Sequence, residues 1–445
     1  MNKSKIMKIF SLLLALAMLA GTIFVGCGSK EPATQTPEAE EKTNNISKSE
    51  EKPVTLKFTI FSQEQQAAYT KMDISGTYKK IKPHVTIEIE KVKDSGDFEQ
   101  MLKIRKTANE LPDIMPLKPY MLANYQDVLA PLNDIEAAQK NMFAQSFAID
   151  GNILGVPGSS FNEFVWYRKS IFKEYNLSIP KTWDEFVAAA ITIKEGGKYI
   201  PILMGGKDAW PTYPFNEFMP SLEANDGKLW NTMATQDEPF TKDQPFYKAY
   251  AKIQQLYDAG VMGPDPLGVG FDQVKVMFGP KKGAMICAGQ WFSKDIQRQL
   301  DGDFSDVGTF LLPVRDNADD KLNTIAMVDS FFATPKDGKN LEEAKDFINF
   351  LFSEDWYLPY MNERGLTSTV KGLKTEIPPV LAEAFENIDV NYVLYDGGNA
   401  DYKKIESAVK FNVKKLGQQM MTGNELDKMM EELNRKWKDA RAALK

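Results

Sequence analysis

Two runs of alternating residues constrain the fold more than any other feature of this chain. Val54, Leu56, Phe58 and Ile60 interleave with Thr55, Lys57 and Thr59, and Val85, Ile87 and Ile89 with Thr86, Glu88 and Glu90. A period of two puts all the apolar side chains on one face of an extended strand. Ser62 to Lys80 is polar and helix-compatible, Asp97 to Asn109 is amphipathic with helical spacing, and Asp113 to Leu117 reads as a third strand. Strands that alternate with helices imply an α/β architecture with largely parallel sheets. Further along, Asp150-Gly151-Asn152 is a turn before the apolar Ile153–Val156. Thr182-Trp183-Asp184-Glu185 has the spacing of a capping box, in which the threonine hydroxyl accepts from the Glu185 N–H and the glutamate returns to the Thr182 N–H. Helices are expected at Gln244–Ala259, Leu341–Phe352 and Asn424–Leu444. In the last, Leu426, Met429, Leu433, Trp437 and Ala440 form one stripe, the mark of core packing.

The N-terminus has a different character. Lys3, Lys5 and Lys8 precede an apolar run, Ile9 to Ala20, and then Gly21 to Cys27. A positive start, a short apolar core and small residues before a break describe a secretory signal, here residues 1–26. The run falls short of the roughly 20 residues of a spanning helix, although an uncleaved anchor is the alternative. Val25-Gly26-Cys27 resembles a bacterial lipobox, with Phe24 where leucine is usual, so Cys27 is expected to carry lipid. Two acyl chains would hold the protein stably on the outer face of the membrane, where one chain would not. Residues 27–52 are polar, with Ile46 the one large apolar residue between Gly28 and Lys52, and read as a disordered tether. The second cysteine, Cys287, lies in Ala284-Met285-Ile286-Cys287-Ala288 and reads as a small buried hydrophobe. The formal charge is −7, and removing the three signal lysines takes it to −10. An acidic body argues against nucleic acid, which needs a basic footprint, and favours a neutral solute over an anionic one.

The order of several loose motifs resembles the extracellular solute-binding proteins of ABC importers, the family that includes the maltose-binding protein. Leu111-Pro112-Asp113-Ile114 is similar to the family's helix-to-strand turn, and Asp150–Pro157 to its DG-x-x-x-GVP segment. Val165–Phe172 resembles its YNK-x-x-F segment, with Arg168 in place of asparagine. Pro180–Phe186 is similar to PKTWDEF, and Gly283–Ile286 followed by Gly289-Gln290-Trp291 to GKAAM and G-x-W. Asp329-Ser330 stands where small residues are commoner. The resemblance covers nearly all of Val54 to Leu444. It implies a two-lobed periplasmic-binding-protein type II-like fold with a hinge of crossing strands. Residues 53–160 and about 330–355 would form the N-terminal lobe, and 161–329 and about 356–445 the C-terminal lobe. The chain would cross near Ser160–Glu163, near Val328–Ser330 and after Ser353, and hinge bending would bury a ligand in the cleft. The expected partners are a carbohydrate and the transmembrane subunits of an ABC permease. The chain is expected to act as a monomer that reaches the membrane only through its lipid anchor.

Sugar rings have an apolar face and a hydroxyl rim, so a sugar site needs aromatic platforms and short polar groups. Of 7 Trp, 16 Tyr and 27 Phe, most will be core, and position selects the rest. Trp291 matches the family's G-x-W residue. Trp210 and Tyr213 sit in a proline-containing loop that resembles a cleft loop of the second lobe, and Tyr395 and Asp396 precede Gly397-Gly398. Core packing is the alternative for each aromatic. Trp183, Trp356 and Trp437 lie on expected helices and are assigned to structure. The polar candidates are Gln63 and Glu64 after the first strand, Lys118 after the third, and Asn162, Glu163 and Asp329 at the crossings. Residues just past strand ends commonly line crevices in open α/β sheets.

Nothing points to catalysis or a cofactor. The single histidine, His84, stands in a turn before a strand, and no G-x-S-x-G, H-E-x-x-H, zinc-cluster or phosphate-loop pattern occurs. Asp301-Gly302-Asp303 lacks the later glycine and glutamate of a calcium loop. The 61 acidic residues make chance carboxylate pairs unavoidable, so a pair alone is no sign of a glycosidase. The reading is a sugar-binding lipoprotein that is not an enzyme. The alternatives are a binding protein for a peptide or other non-sugar solute, and a cell-surface glycoside hydrolase.

Overall fold

The two alternating runs pair with each other. The computed structural model describes residues 52–93 and 95–444. The signal peptide, Cys27 and all but the last residue of the expected tether lie outside the described residues. Strands β1 (Val54–Ile60) and β2 (Val85–Lys91) lie parallel, in register from Val54 opposite Val85 to Ile60 opposite Lys91. Leu56, Phe58 and Ile60 are buried on the inward face. On its other edge β1 exchanges backbone hydrogen bonds with Ile114, which leads into the short β3 (Met115–Leu117).

Two long strands join the halves of the molecule. β4 (Val156–Arg168) pairs antiparallel with β8 (Leu322–Ala333) from Val156 to Asn162. From Glu163 to Tyr167 it pairs instead with β6 (Gly283–Gly289), while β7 (Val307–Phe310) runs along its other edge from Val165 to Arg168. β5 (Ile200–Leu203) lies parallel to β6, and β9 (Val390–Leu394) parallel to β8. β3 completes the first lobe's side by pairing with the end of β8. Thus β4 and β8 each start in one lobe and end in the other, and β4 changes partner between Asn162 and Glu163.

Each lobe buries apolar residues on both faces of its sheet. In the first lobe Leu56, Phe58 and Val85 pack with helix Leu341–Leu351, and Phe98, Met115 and Leu117 cover the other face. In the second, Trp183, Phe186, Trp230 and Trp437 share one core, and Phe164, Trp166 and Ile296 the other. The stripe on helix Leu426–Leu444 packs into the first of these, with Trp437 fully buried. Cys287 is a buried free thiol on β6.

Three local expectations need correction. The helix-compatible stretch Ser62–Lys80 is two helices, Gln63–Lys71 and Ile74–Ile81. Asp73 between them is left-handed (φ 48°), and its carboxylate accepts from Gly76 N to cap the second. At the capping box the Thr182 hydroxyl accepts from Glu185 N at 3.3 Å as expected, but the glutamate returns to the N–H of Lys181, at 2.7 Å, one residue early. Finally, the chain does not leave the first lobe after Ser353. Helix Glu354–Arg364 puts Trp356, Tyr357 and Tyr360 into the same core as Leu56 and Phe58, where Tyr69 stacks on Tyr360 at 4.8 Å. Residues from Val380 onward rejoin the second lobe.

Candidate ligand cleft between the lobes

Where β4 and β8 pass between the lobes they floor a cleft of about 1700 Å³. Period-two alternation turns Ser159, Phe161 and Glu163 of β4 toward it, and β8 contributes Met327 and Asp329. The first lobe supplies the segments following β1 and β3, with Gln63, Glu64, Lys118 and Tyr120. The second supplies a cluster of four aromatic rings. Trp210 lies 4.5 Å from Phe271, 6.2 Å from Trp291 and 6.1 Å from Tyr213, the last pair stacked at 21° (centroid distances).

Local backbone features place this cluster. Trp291 follows β6 directly, and a Cβ at Gly289 would lie 2.4 Å from the Trp291 indole nitrogen, so only glycine lets the ring fold back there. Ala209 holds a positive φ of 59° just before Trp210, an unusual backbone for a residue with a side chain. Trp291 is half-buried and packs against core residues of both lobes. Gln290 beside it donates from Nε2 to the Gly365 carbonyl of the first lobe at 2.8 Å.

The polar groups on the floor are buried and incompletely satisfied. The Tyr213 hydroxyl donates to Glu163 Oε2 at 2.7 Å and accepts from Gly289 N at 3.3 Å. Burial pushes the Glu163 carboxyl up to about 8, against the opposing effect of the tyrosine bond, so it is neutral at pH 7. Its Oε1 has no hydrogen-bond partner among the described residues. Asp329 is held by Lys118 through a 2.6 Å ion pair, and its other oxygen, Oδ1, is likewise buried without a partner. The Lys118 ammonium also sits 4.9 Å from the centre of the Phe61 ring. Two buried carboxyl oxygens beside the cleft are therefore without a partner among the described residues.

Nine of the eleven candidates from the sequence line this cleft: Trp210, Tyr213, Trp291, Tyr395, Gln63, Glu64, Lys118, Glu163 and Asp329. Tyr395 lines it as scaffold, since its hydroxyl accepts from Trp230 Nε1 at 3.0 Å and donates to Glu217 at 2.8 Å. Asn162 does not line the cleft, because alternation along β4 turns it to the face opposite Phe161 and Glu163. Asp396 does not either. Its carboxylate is spent locally on Asn231 Nδ2 at 2.7 Å and Gly398 N at 2.9 Å. Sequence reasoning missed Tyr120, Phe271, Arg364 and Lys403. Phe271 opens a helix behind a glycine-rich segment and Tyr120 follows β3, both detectable signals, whereas Arg364 and Lys403 reach the cleft through tertiary packing alone. Among the described residues no group of three or more His, Cys, Asp or Glu side chains could hold a metal ion.

Two lobes, two shared floor strands and one cleft between them define a two-lobed ligand receptor. The chain belongs to the bacterial extracellular solute-binding protein family, which residues 59–357 match. It is 24% identical over 369 residues to the multiple sugar-binding protein of Streptococcus mutans serotype c, an alignment that covers 79% of this chain and 84% of that one. Among solved structures it is similar to the solute-binding protein RafE in complex with raffinose (TM-score 0.73, 19% identity, 87% of this chain and 99% of the other). It is equally similar to a mannobiose complex of an ABC-transporter binding protein from Bifidobacterium animalis subsp. lactis (TM-score 0.73, 20% identity, 88% and 95%).

Proposed function

We propose that the chain captures an oligosaccharide outside the cell and delivers it unaltered to an ABC permease. The observation that carries this reading is the aromatic cluster of Trp210, Tyr213, Phe271 and Trp291 beside the unsatisfied oxygens of Glu163 and Asp329. Flat rings match the apolar faces of sugars, and buried polar atoms without protein partners match their hydroxyls. At about 1700 Å³ the cleft exceeds the roughly 300–1,000 Å³ typical of small-molecule pockets, which leaves room for more than one ring. The sugar-binding relatives support the same class of ligand.

The floor carboxyls are poorly placed to act as a glycosidase pair. Asp329 is registered opposite Ser159, four residues from Glu163, which separates the backbones by roughly 13 Å at about 3.3 Å per residue. Lys118 draws the Asp329 side chain toward the first lobe, and Tyr213 binds that of Glu163 in the second. Hydrolases hold their two carboxyls about 5–9.5 Å apart. Attachment through a lipidated Cys27 completes the reading, and Cys27→Ser should release the protein from the membrane.

A thermal-shift screen tests the function. An oligosaccharide at about a hundred times its dissociation constant should add about 2.7 kcal/mol of stability, and scattering should show a smaller radius of gyration in its presence. A panel that includes raffinose and mannobiose with no stabilising member, or one that is turned over at catalytic rates, would overturn the proposal.

A further inference from the structure

The sugar reading leaves open which sugars, and the charge of the cleft speaks to that. The chain as a whole is acidic, at −7, and on that ground a neutral solute was expected. The cleft reverses the balance. Among the described residues, twelve basic and nine acidic side chains line it. One of the nine, Glu163, is neutral at pH 7. Among the described residues, the ammonium groups of Lys103, Lys410 and Lys415, from both lobes, pair with no carboxylate. A charged, low-dielectric crevice concentrates ligands of opposite sign.

A second, independent feature lies beside the aromatic platform. Arg364 ends helix Glu354–Arg364 and lines the first lobe's wall. Its Nε and Nη1 are buried and have no hydrogen-bond acceptor among the described residues. The acid that shares this wall, Glu64, lies near enough for the Arg364 charge to help lower its pKa, but its hydrogen bond and ion pair lie elsewhere. Its Oε2 accepts from the Ser62 hydroxyl at 2.9 Å, and its Oε1 lies 3.6 Å from Arg298 of the opposite lobe. Arg364 also has a defined neighbour. The next residue, Gly365, accepts the Gln290 side-chain bond, and Gln290 precedes Trp291, which packs against the first-lobe core that holds Tyr360, Met361 and Leu366. A guanidinium with unfilled donors and an indole platform thus flank the Gln290–Gly365 hydrogen bond, one from each lobe, and both line the cleft. A guanidinium stays charged at any working pH, and its planar fork matches a carboxylate through two parallel hydrogen bonds, where a neutral hydroxyl supplies neither the charge nor the second acceptor.

We propose that the cleft selects an acidic oligosaccharide, with a uronate carboxylate received by Arg364 while its ring lies on Trp291. This rests on the sugar-capture reading and narrows it. The unpaired lysines at the rim would steer such a ligand inward without choosing among acids.

The test uses the mature chain, calorimetry, and a panel of uronate oligosaccharides of differing linkage, each matched to its carboxyl-reduced counterpart. Raffinose, mannobiose and triglutamate serve as controls. At least one acid should bind about thirtyfold or more tightly than its reduced counterpart, the low end for a desolvated charge pair. Arg364→Gln should bring that acid down to the level of its reduced form, and Arg364→Lys should retain part of the preference. Melting curves of both variants establish that they fold. Reduced or neutral sugars bound as tightly as the acids would overturn the acidic-ligand inference and leave sugar capture standing. An acid preference that survives in Arg364→Gln would overturn the role of Arg364. Binding of triglutamate alone, or of nothing in the panel, would overturn both readings.

Discussion

Glu163→Gln should make the ligand-free protein more stable at neutral pH, and the size of the gain should depend on pH in a defined way. The carboxyl lies on β4 where that strand changes lobes, buried, with one oxygen bonded to Tyr213 and the other unsatisfied. In the unfolded chain it titrates near its ordinary 4.5, and in the folded protein at about 8. The folded state therefore holds a proton that the unfolded state has lost across that window. Stability falls as pH rises from about 4.5 to about 8, because the unfolded state binds fewer protons there, and levels off above. At about 1.4 kcal/mol per pH unit, the loss at pH 7 is roughly 3 kcal/mol. Glutamine has the shape of the protonated acid, can still accept from the Tyr213 hydroxyl, and does not titrate. The variant should match the parent near pH 4.5 and melt several degrees higher near pH 8. Melting scans of both proteins across that range are sufficient. If the two curves run parallel at every pH, Glu163 is ionised and solvated like a surface carboxylate, and the burial of its carboxyl on the cleft floor is refuted.

Other expectations follow from the same contacts. Trp291→Ala should weaken oligosaccharide binding by about tenfold to over a hundredfold, with a smaller effect on melting, since the ring is only half-buried. A large fall in melting temperature with near-normal affinity would make it a core residue. Lys118→Met would leave Asp329 as a buried carboxylate without its cation and should cost roughly 3 kcal/mol, read by denaturant unfolding. Trp437→Ala, far from the cleft in the second lobe's core, should cost about 3–5 kcal/mol of stability and leave calorimetric affinity unchanged.

How much was legible depends on whether a signal was local. The first two strands are visible because each buries one face against a polar other, so period two survives in the sequence. Ser62–Lys80 was read only as helix-compatible, and its division into two helices was not seen because a single aspartate does not announce the left-handed conformation that Asp73 adopts. Helix Glu354–Arg364 was assigned to the wrong lobe for a different reason. Its apolar residues say that it packs, not against which sheet, and only Tyr69 and Phe350 in space decide that. The aromatic platform was found from loops that hold tryptophan next to glycine or proline. Arg364 and Lys403 were not, because Arg364 reads as a favourable cation in a helix's last turn and Lys403 as a solvated helix residue until the other lobe is brought up beside them.

The two shared strands also have a consequence for how this chain is made. The first lobe is not a continuous stretch of polypeptide. β3 and the first half of β4 are emitted early, but β8, the strand that fills the space between them, ends at Ala333, after most of the second lobe. During synthesis and export the early strands must wait with open edges for well over a hundred residues. The second lobe is divided too: its last segment, from Val380 onward, is made only after the first lobe's strands are complete. A chain interrupted before β8 would keep exposed strand edges of the kind that pair with other chains. Its fate should be aggregation rather than a stable half-molecule, so neither lobe can be inherited, swapped or produced without the other.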